Sequence, residues 1–353
     1  MSKIRLAIVG VGNCASNFVQ GISYYNTRAD KRAGLMNEQI GGYKITDILP
    51  VAAFDVDSRK VGKDLSEAVF APPNCTPRIA DVPSLKVEVK MGPVMDGVTE
   101  HLRDFVKVAE REPVNVGKVL REAGVDVLVN ILPTGSERAA RFYAGAAIEA
   151  GVGIVNGIPV LLTHDPEFVR AAETAKVPIV GDDFKSQVGG TALHRALIDL
   201  FVKRGIRLTE MTQLNYGGNT DFYNLIEWER GKTKHASKHR GTTATLPYDV
   251  PLSINVSWLE ILGDRKICRI EMKGENFGGA PISLEARLEV VDSANSSGVL
   301  ADAIRYCKLA RDRGVGGVLH SASAYLMKSP AIQLSDEEAI RNLEEFVSGT
   351  RER

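Results

Sequence analysis

A short strand that runs through a glycine-rich loop into a helix is the feature that most restricts the fold of this chain. Residues 4–9 form an apolar run rich in β-branched side chains, and Gly10, Gly12 and Ala15 follow in the spacing G-x-G-x-x-A. In dinucleotide-binding folds the first glycine permits a tight turn, the second lets the backbone approach a pyrophosphate, and the helix start attracts phosphate. The loop therefore predicts a dinucleotide site, and a plain glycine-rich turn is the alternative.

An acidic residue at the end of the second predicted strand indicates which dinucleotide is bound. Residues 48–57 are predicted to form that strand, and Asp55 stands where a carboxylate commonly binds the ribose hydroxyls, with Asp57 as its neighbour. A carboxylate there repels the extra phosphate of NADP, which favours NAD. The nearby cations Arg59 and Lys60 leave NADP as the alternative.

Predicted strands and helices alternate as far as residue 185, which indicates an α/β fold with a doubly wound parallel sheet of the Rossmann type. Strands are predicted at, or within, residues 4–9, 48–57, 86–89, 125–132, 151–159 and 177–183, and helices at residues 13–25, 61–70, 114–123, 136–150 and 168–175. A polar insertion at residues 26–46 and a proline-rich, irregular segment at residues 71–97 interrupt the alternation.

The pattern changes after residue 185, where strands follow one another without helices between them. A helix is predicted at residues 191–203, then strands at residues 208–216, 253–258, 266–273 and 282–291, and finally helices at residues 299–313 and 336–347. This order is typical of a mostly antiparallel sheet in a second α+β domain. We expect residues 1–185 and 298–353 to form the Rossmann domain and residues 186–297 to form the catalytic and oligomerisation domain.

The charge balance and the cysteines disfavour several classes of protein. Lys+Arg and Asp+Glu both number 44, so the basic excess of a nucleic-acid binder is lacking. The four cysteines (Cys14, Cys75, Cys268 and Cys307) are far apart and form no CxxC pair, which fits a reducing compartment. Neither a signal peptide nor a bilayer-spanning apolar stretch is recognisable. We expect a cytoplasmic protein that binds neither nucleic acid nor membrane.

Two polar segments after the Rossmann half are predicted to bind ligand. In GDDFKSQVGGT a predicted strand ends at Asp182 and Asp183, and a helix begins between Ser186 and Thr191, a natural place for an anion. The alternative is an ordinary helix capped by one of these hydroxyls. In LNYGGNTDFYNL, amides and a carboxylate surround a Gly-Gly turn and suit sugar hydroxyls, although such residues also form plain turns.

Four lysines stand out in the remaining segments. Lys234 and Lys238 share one face if KTKHASKH is helical, although a solvated basic face is the alternative. His235 and His239 in the same segment have metal-like spacing but no obvious third ligand. Lys266 follows GDR, and Lys328 lies between an apolar run and a proline. A buried lysine must be paired or have a lowered pKa, which would suit Lys328 to acid–base catalysis.

Together these segments resemble the inositol-3-phosphate synthase family in its shorter prokaryotic form. The motifs that carry the resemblance are VGVGNCAS, VAAFDVD, KVGKDLSEAVF, LPTGSE, VPIVGDDFKSQVG, LNYGGNTDF, TKHASK, DRK, DSANSSG and SAYLMKSP, which extend nearly from end to end. Thr233 stands where the family usually has serine, and DSANSSG replaces the usual DSPNSAG, but neither change removes a charged group.

The resemblance implies an NAD-dependent isomerase that converts D-glucose 6-phosphate to 1D-myo-inositol 3-phosphate. NAD would oxidise C5 of the open-chain sugar, the enolate at C6 would attack the C1 aldehyde, and NADH would then reduce C5 again. The resemblance also implies a homotetramer built by the sheet of the second domain and a role in inositol and phospholipid biosynthesis. Whether a divalent or monovalent cation takes part stays open, and no metal site is predicted.

The family's site residues are carried over by motif. The resemblance implies catalytic roles for Lys234, Lys238, Lys266, Lys328, Asp183, Asp221 and Asp292. We assign Lys266 and Lys328 to the C1 and C5 oxygens, and Lys234 and Lys238 to the phosphate and its neighbouring oxygens. Substrate binding is expected of Ser186, Gln187, Asn215 and Asn219. Cofactor binding is expected of Gly10, Gly12, Asn13, Cys14, Asp55, Asp64, Ala123, Tyr143, Ser186, Asp221 and Lys234.

Two alternative functions and one expected movement of a segment follow from the same residues. A conventional NAD-dependent sugar-phosphate or homoserine-type dehydrogenase would need no set of four lysines, and a non-catalytic NAD sensor could lose them freely. The polar segment at residues 226–250 is expected to be mobile without substrate and to fold over the sugar when it binds.

Overall fold

A computed structural model describes residues 3–28, 33–244 and 246–353. Residues 29–32 of the predicted insertion and residue 245 of the polar segment lie outside the described residues. Within these ranges the strands are, in chain order, β1 (Ile4–Val9), β2 (Gln39–Ile40), β3 (Tyr43–Lys44), β4 (Ile48–Asp55), β5 (Val89–Met91), β6 (Val127–Asn130), β7 (Gly153–Asn156), β8 (Pro178–Val180), β9 (Arg207–Gly217), β10 (Leu252–Trp258), β11 (Arg265–Glu275), β12 (Pro281–Val291) and β13 (Gly317–Val318).

The helices connect these strands and cover the sheets. They are α1 (Asn13–Thr27), α2 (Leu65–Ala68), α3 (Val116–Glu122), α4 (Glu137–Glu149), α5 (Pro166–Thr174), α6 (Gly190–Lys203), α7 (Thr220–Leu225), α8 (Trp228–Thr243), α9 (Asp292–Asp312), α10 (His320–Leu326) and α11 (Asp336–Ser348).

Seven strands form a parallel sheet in the order β13-β8-β7-β6-β1-β4-β5, which confirms the predicted doubly wound fold. The strands are apolar on both sides because helices cover both faces of the sheet. β1 lies between β4 and β6, so the strand order reverses at its carboxyl end. Ligands bind at such a point in open α/β sheets, which places a site beside the glycine-rich loop.

The second sheet has the order β10-β9-β11-β12 and is mostly antiparallel, as predicted, with one parallel pair between β9 and β10. Cys268, Ile270 and Met272 alternate along β11 and are buried on one face, where α6 packs. The alternation follows from the two-residue period of a strand.

Two predicted helix boundaries were wrong. The helix expected at residues 61–70 is reduced to α2 because Gly62 has a φ of +84°, which a helix cannot contain, and Asp64 caps the helix start. Helix α9 begins at Asp292, seven residues earlier than predicted, because its first turns are polar and face a polar site. The segment at residues 226–250 contains α8, whose polar sequence lacks the apolar periodicity that indicates a helix.

The insertion contains the hairpin β2–β3, which was predicted as a loop, and it is held against α9 by a buried arginine. Arg305 is fully buried, forms an ion pair with Asp302, and donates hydrogen bonds to the backbone carbonyls of Asn37, Glu38 and Tyr43. No helix in the described ranges is long and apolar enough to cross a membrane.

Replacing Asp302 with alanine should destabilise the fold strongly. Asp302→Ala leaves the buried Arg305 guanidinium without its counter-charge, and breaking such a pair costs about 3–5 kcal/mol. Urea unfolding followed by circular dichroism measures the difference. Glu289→Ala, which breaks the exposed pair with Arg287, is the matched control and should cost less than about 1 kcal/mol. Equal losses in the two variants would contradict the prediction.

Candidate active site

A large cleft opens at the carboxyl ends of β1, β4 and β6. Gly10, Gly12, Asn13 and Cys14 form part of its wall. Gly10 has a φ of +91°, and a Cβ atom there would lie 2.9 Å from the carbonyl oxygen of Ile131, so this turn requires glycine. The tight turn therefore follows from the close approach of β1 to the loop after β6.

The start of α1 fits a pyrophosphate. A Cβ atom added to Gly12 would meet no atom within 4 Å, so the backbone there borders open space in the cleft. Gly12 is also the N-cap of α1, and no side chain caps the helix. The uncapped N–H groups of this helix start can therefore donate to a phosphate group that lies against the glycine.

The acidic residues at the end of β4 and just after it, Asp55 and Asp57, distinguish between NAD and NADP. Asp55 lines the cleft and accepts hydrogen bonds from the backbone N–H groups of Val11 (2.7 Å) and Asp57 (2.9 Å). Arg59 is held away from any 2′-phosphate because it forms a two-pronged ion pair with Asp57 and also donates to the carbonyl of Phe105. The remaining cation, Lys60, donates to Asn74 at 3.1 Å. This geometry favours NAD.

The other expected cofactor residues differ in position. The buried Tyr143 lines the cleft and packs against Phe54, and burial raises the pKa of its hydroxyl. Asp64 lies outside the cleft wall, where it caps α2 and binds Ser84 and the N–H of Lys86. Ala123 ends α3, and its carbonyl accepts from Arg5, again outside the wall of the cleft.

A second, smaller pocket lies at the start of α6 and adjoins the cleft, since Phe184 lines both. Its wall combines the helix start, amides and ammonium groups: Ser186, Gly189, Gly190, Thr191, Gln213, Asn215, Lys238, Lys266 and Lys328. Gly189 is the N-cap, and neither Ser186 nor Thr191 caps the helix. The uncapped helix start and three lysines suit a dianion such as a phosphate monoester.

Helix α8 carries one lysine to each of the two cavities. Lys234 lines the large cleft, and Lys238, one turn later, lines the small pocket. This placement differs from the expectation that both act on the phosphate. Asp221 and Asn219 also line the cleft, where Thr134 donates to Asp221 at 3.1 Å.

Asp183 is the buried counter-ion of two of the lysines. Its carboxylate binds the ammonium of Lys234 at 3.0 Å and that of Lys328 at 2.9 Å, and it also accepts from the hydroxyl of Ser237. Burial opposes ionisation, but the two lysines and the hydroxyl hold the pKa of Asp183 at about 2. Asp183 is therefore a permanent anion between the two cavities.

The two partners of Asp183 differ in their proton affinity. Burial opposes the charge of Lys234, but Asp183 together with the nearby Asp221 and Asp292 outweighs burial and raises the pKa of Lys234 above its usual value. For Lys328 burial prevails over Asp183 and lowers the pKa to about 8. Lys234 therefore stays cationic at neutral pH, whereas Lys328 can exchange a proton.

The other two lysines show the same contrast. Lys266 binds Asp292 at 3.0 Å, and this carboxylate overcomes burial and raises the pKa of Lys266. Lys238 makes no ion pair with any described residue, and its pKa is lowered well below the usual value by burial and by the charges of Lys266, Lys328 and Lys234. Lys238 is therefore the amine most readily neutral in this cluster.

Three of the expected substrate residues have other partners. Gln187 donates to the carbonyl of Gly34, outside the wall of the small pocket. Asn215 lines the pocket, accepts from Gln213 at 3.1 Å and donates to the carbonyl of Asn255. Asn219 caps α7 and donates to Asp264 at 3.1 Å.

Sequence reasoning missed several residues that hold the charged groups in place. Ser329 donates to Ser237, which donates to Asp183, and Arg240 donates to Ser329. Arg230 anchors the start of α8. Serines and single arginines form no pattern that marks them as functional in a sequence. Only the resemblance of TKHASK and SAYLMKSP to family motifs pointed to the segments that contain the two serines. Among the described residues no group of three His, Cys, Asp or Glu side chains could hold a metal ion.

Comparison with known proteins identifies relatives along the whole chain. Residues 189–293 match the family model of myo-inositol-1-phosphate synthase. The inositol-3-phosphate synthase of Mycolicibacterium smegmatis is 49% identical, over 98% of this chain and 98% of that protein. The inositol-3-phosphate synthase of Mycobacterium tuberculosis is 48% identical, over 99% of this chain and 96% of that protein.

A solved structure agrees with these relatives. The crystal structure of a myo-inositol-1-phosphate synthase-related protein from Thermotoga maritima superposes with a TM-score of 0.82 and 25% sequence identity. The superposition covers 99% of this chain and 100% of that protein, so it includes both sheets.

Replacing Lys238 with methionine should stabilise the protein. Lys238→Met removes an unpaired buried amine that on folding must either carry an uncompensated charge or give up its proton, and replacing it with an apolar side chain of similar length is expected to gain about 1–3 kcal/mol at pH 7. The pKa of Lys238 in the folded protein lies well below the usual lysine value of 10.5, so the unfolded chain binds more protons between the two values. The stability of the wild-type protein therefore rises with pH across this interval. The stability difference between Lys238→Met and wild type should shrink accordingly.

Urea unfolding of both proteins at pH 7 and at pH 9.5 measures this effect. Lys232→Met, on the exposed side of the same helix, is the control and should change stability by less than about 0.5 kcal/mol. A Lys238→Met protein less stable than wild type at pH 7 would show that the charge of Lys238 is compensated.

Proposed function

The chain belongs to the inositol-3-phosphate synthase family, and we propose that it converts D-glucose 6-phosphate to 1D-myo-inositol 3-phosphate without net oxidation. One observation supports this activity above the others: a dinucleotide cleft and a lysine-lined pocket share Phe184 as a common wall. A sugar phosphate in the pocket would thus lie next to the cofactor. NAD, when bound, supplies the acceptor and later the donor of the C5 hydride.

We propose that the phosphate group of the substrate binds at the start of α6. Ser186, Gly190 and Thr191 surround this helix start, which has no side-chain cap. The N–H groups and hydroxyls would donate to phosphate oxygens, and the lysines of the pocket would balance their charge. The same lysines, Lys238, Lys266 and Lys328, would then surround C5 and C6 next to the phosphate, and the C1 aldehyde that folds back toward C6.

Two of the lysines are proposed to stabilise negative charge without changing their own protonation. Lys234 is kept cationic by Asp183 and lines the cofactor cleft, so we place it at the C5 oxygen. Lys266 is kept cationic by Asp292, and we place it at the C1 oxygen, which becomes an alkoxide when the ring closes. Preorganised charges in a buried site stabilise such oxyanions without reorganisation.

The other two lysines are proposed to move protons. Lys328, with a pKa of about 8, would accept the proton of the C5 hydroxyl during oxidation and return it after reduction. The unpaired amine of Lys238 would remove the C6 proton beside the C5 ketone and deliver it to the C1 oxygen after the aldol bond forms. Each proton taken is given back, as an isomerisation requires.

We further propose the domain arrangement and assembly that the resemblance implies. Residues 1–185 with 298–353 would bind NAD, and residues 186–297 would hold the sugar phosphate and build a homotetramer. Ile261 and Phe277 are exposed apolar side chains in the turns that follow β10 and β11, which supports an assembly role for the second sheet. The product would serve inositol and phospholipid synthesis in the cytoplasm.

The activity is tested by proton and phosphorus NMR of the protein with glucose 6-phosphate and a catalytic amount of NAD, while absorbance follows NADH. We expect inositol phosphate to accumulate without net NADH. The reaction is repeated with Mg²⁺, with K⁺ and with a chelator to settle the cation requirement. NADH formed in step with an oxidised sugar would reject the synthase and favour a conventional dehydrogenase.

The pH dependence tests the roles of the proton-carrying lysines. Because Lys328 must be neutral to accept a proton, kcat/KM should rise with pH up to about 8 and then level off. Lys328→Met should lower kcat about 10²–10⁴-fold, the usual size of a lost general acid–base, and leave the Kd for NAD within a factor of two. The exposed Lys232→Met protein is the control. A wild-type pH profile without this rise would exclude Lys328 as the base.

A further inference from the structure

Arg230 is a buried arginine on the helix that carries two of the site lysines. It lies one turn before Lys234 and two turns before Lys238, so the three side chains share one side of α8. Only 5% of Arg230 is exposed. A buried guanidinium is costly unless it is well paired, so its partners indicate what it does.

The partners of Arg230 are carbonyl groups from other elements. Its Nε donates to the side-chain oxygen of Asn224 at 2.8 Å, and its Nη1 donates to the backbone carbonyls of Asp96 and Gly135. Asn224 in turn donates to the carbonyl of Thr134 at 2.8 Å. The head of α8 is thereby attached to two loops of the Rossmann half.

These two loops belong to the wall of the dinucleotide cleft. Gly97, next to Asp96, lines the cleft, as does Thr134, whose hydroxyl donates to Asp221. The fit around the guanidinium is close: Gly135 has a φ of +86°, and a Cβ atom there would lie 3.1 Å from the Nε of Arg230. A displacement of either loop would therefore be transmitted to Arg230 and along α8 to the lysines.

We propose that Arg230 is a positioning residue that couples dinucleotide binding to sugar-phosphate binding, by tying the loops of the cleft to the helix that holds Lys234 and Lys238. The inference rests on the proposed function for the identity of the two ligands. Each ligand stabilises one end of the same rigid connection, so each should strengthen binding of the other by the same factor. Lysine cannot replace Arg230 because a single ammonium cannot reach three carbonyl oxygens in a fixed fork.

The test measures the Kd of NADH by fluorescence, with and without D-glucitol 6-phosphate. This open-chain alcohol has no C1 aldehyde, and with NADH it has nothing to reduce, so no turnover disturbs the titration. In the wild-type protein we expect the alcohol to lower the Kd of NADH about 10-fold, within the usual range of coupling between sites. In Arg230→Lys the decrease should be less than about two-fold, while the Kd of NADH alone changes little.

Two further variants complete the experiment. Lys232→Gln, on the exposed side of α8, should keep the full coupling. Asn224→Ala removes the link to Thr134 and the acceptor of the Arg230 Nε, but it keeps the contacts of Arg230 with Asp96 and Gly135, so we expect coupling between the wild-type and Arg230→Lys values. This variant also takes the place of Arg230→Lys if circular dichroism shows that protein to be unfolded. Full coupling in the folded Arg230 or Asn224 variants, or none in wild type, would overturn the inference. The NMR turnover assay of the wild-type protein reports on the proposed function separately.

Discussion

The structure depends on the compensation of four ammonium groups in one buried region. Asp183 pairs with Lys234 and Lys328, and Asp292 pairs with Lys266, so these two carboxylates compensate two charges, and burial together with the uncompensated positive charge lowers the pKa of Lys328 and of the unpaired Lys238. A phosphate monoester carries nearly two negative charges at neutral pH. The carboxylates of the protein therefore do not fully neutralise the lysine cluster, and the proposed substrate would supply the missing negative charge. Without substrate the cluster destabilises the fold, and the unpaired Lys238 contributes most to that cost.

This charge cluster also decides how the two halves of the chain are joined. Asp183 follows β8 of the parallel sheet, Lys234 lies on α8, and Lys328 follows α10, so a single carboxylate connects three distant segments. The hydroxyls of Ser237 and Ser329 extend the connection, and Arg230 fastens the start of α8 to the loops of the cleft. The same contacts that hold α8 in place also place an ammonium in each cavity.

Part of the site could be predicted because its residues form patterns within short segments. The glycine-rich loop, Asp55 and the four lysines are recognisable from strand–turn–helix context and from family motifs. The supporting residues were not, because Ser237 and Ser329 are 92 positions apart and become partners only when the chain folds. Likewise, the polar sequence of α8 concealed a helix, since its stability comes from tertiary ion pairs and from Arg230 rather than from an apolar face.

By itself the sequence determined the doubly wound sheet, the mostly antiparallel second sheet and the family, because periodicity, turn residues and motifs are local properties of the chain. The tertiary structure decided which lysines are paired, and hence which remain cationic and which can be neutral, because burial and the distance to a carboxylate set the pKa of each amine. It also decided that Arg59 is bound to Asp57 and that Lys234 and Lys238 lie in different cavities. Each of these contacts depends on the distance and the orientation of side chains in space. Only the folded chain fixes both.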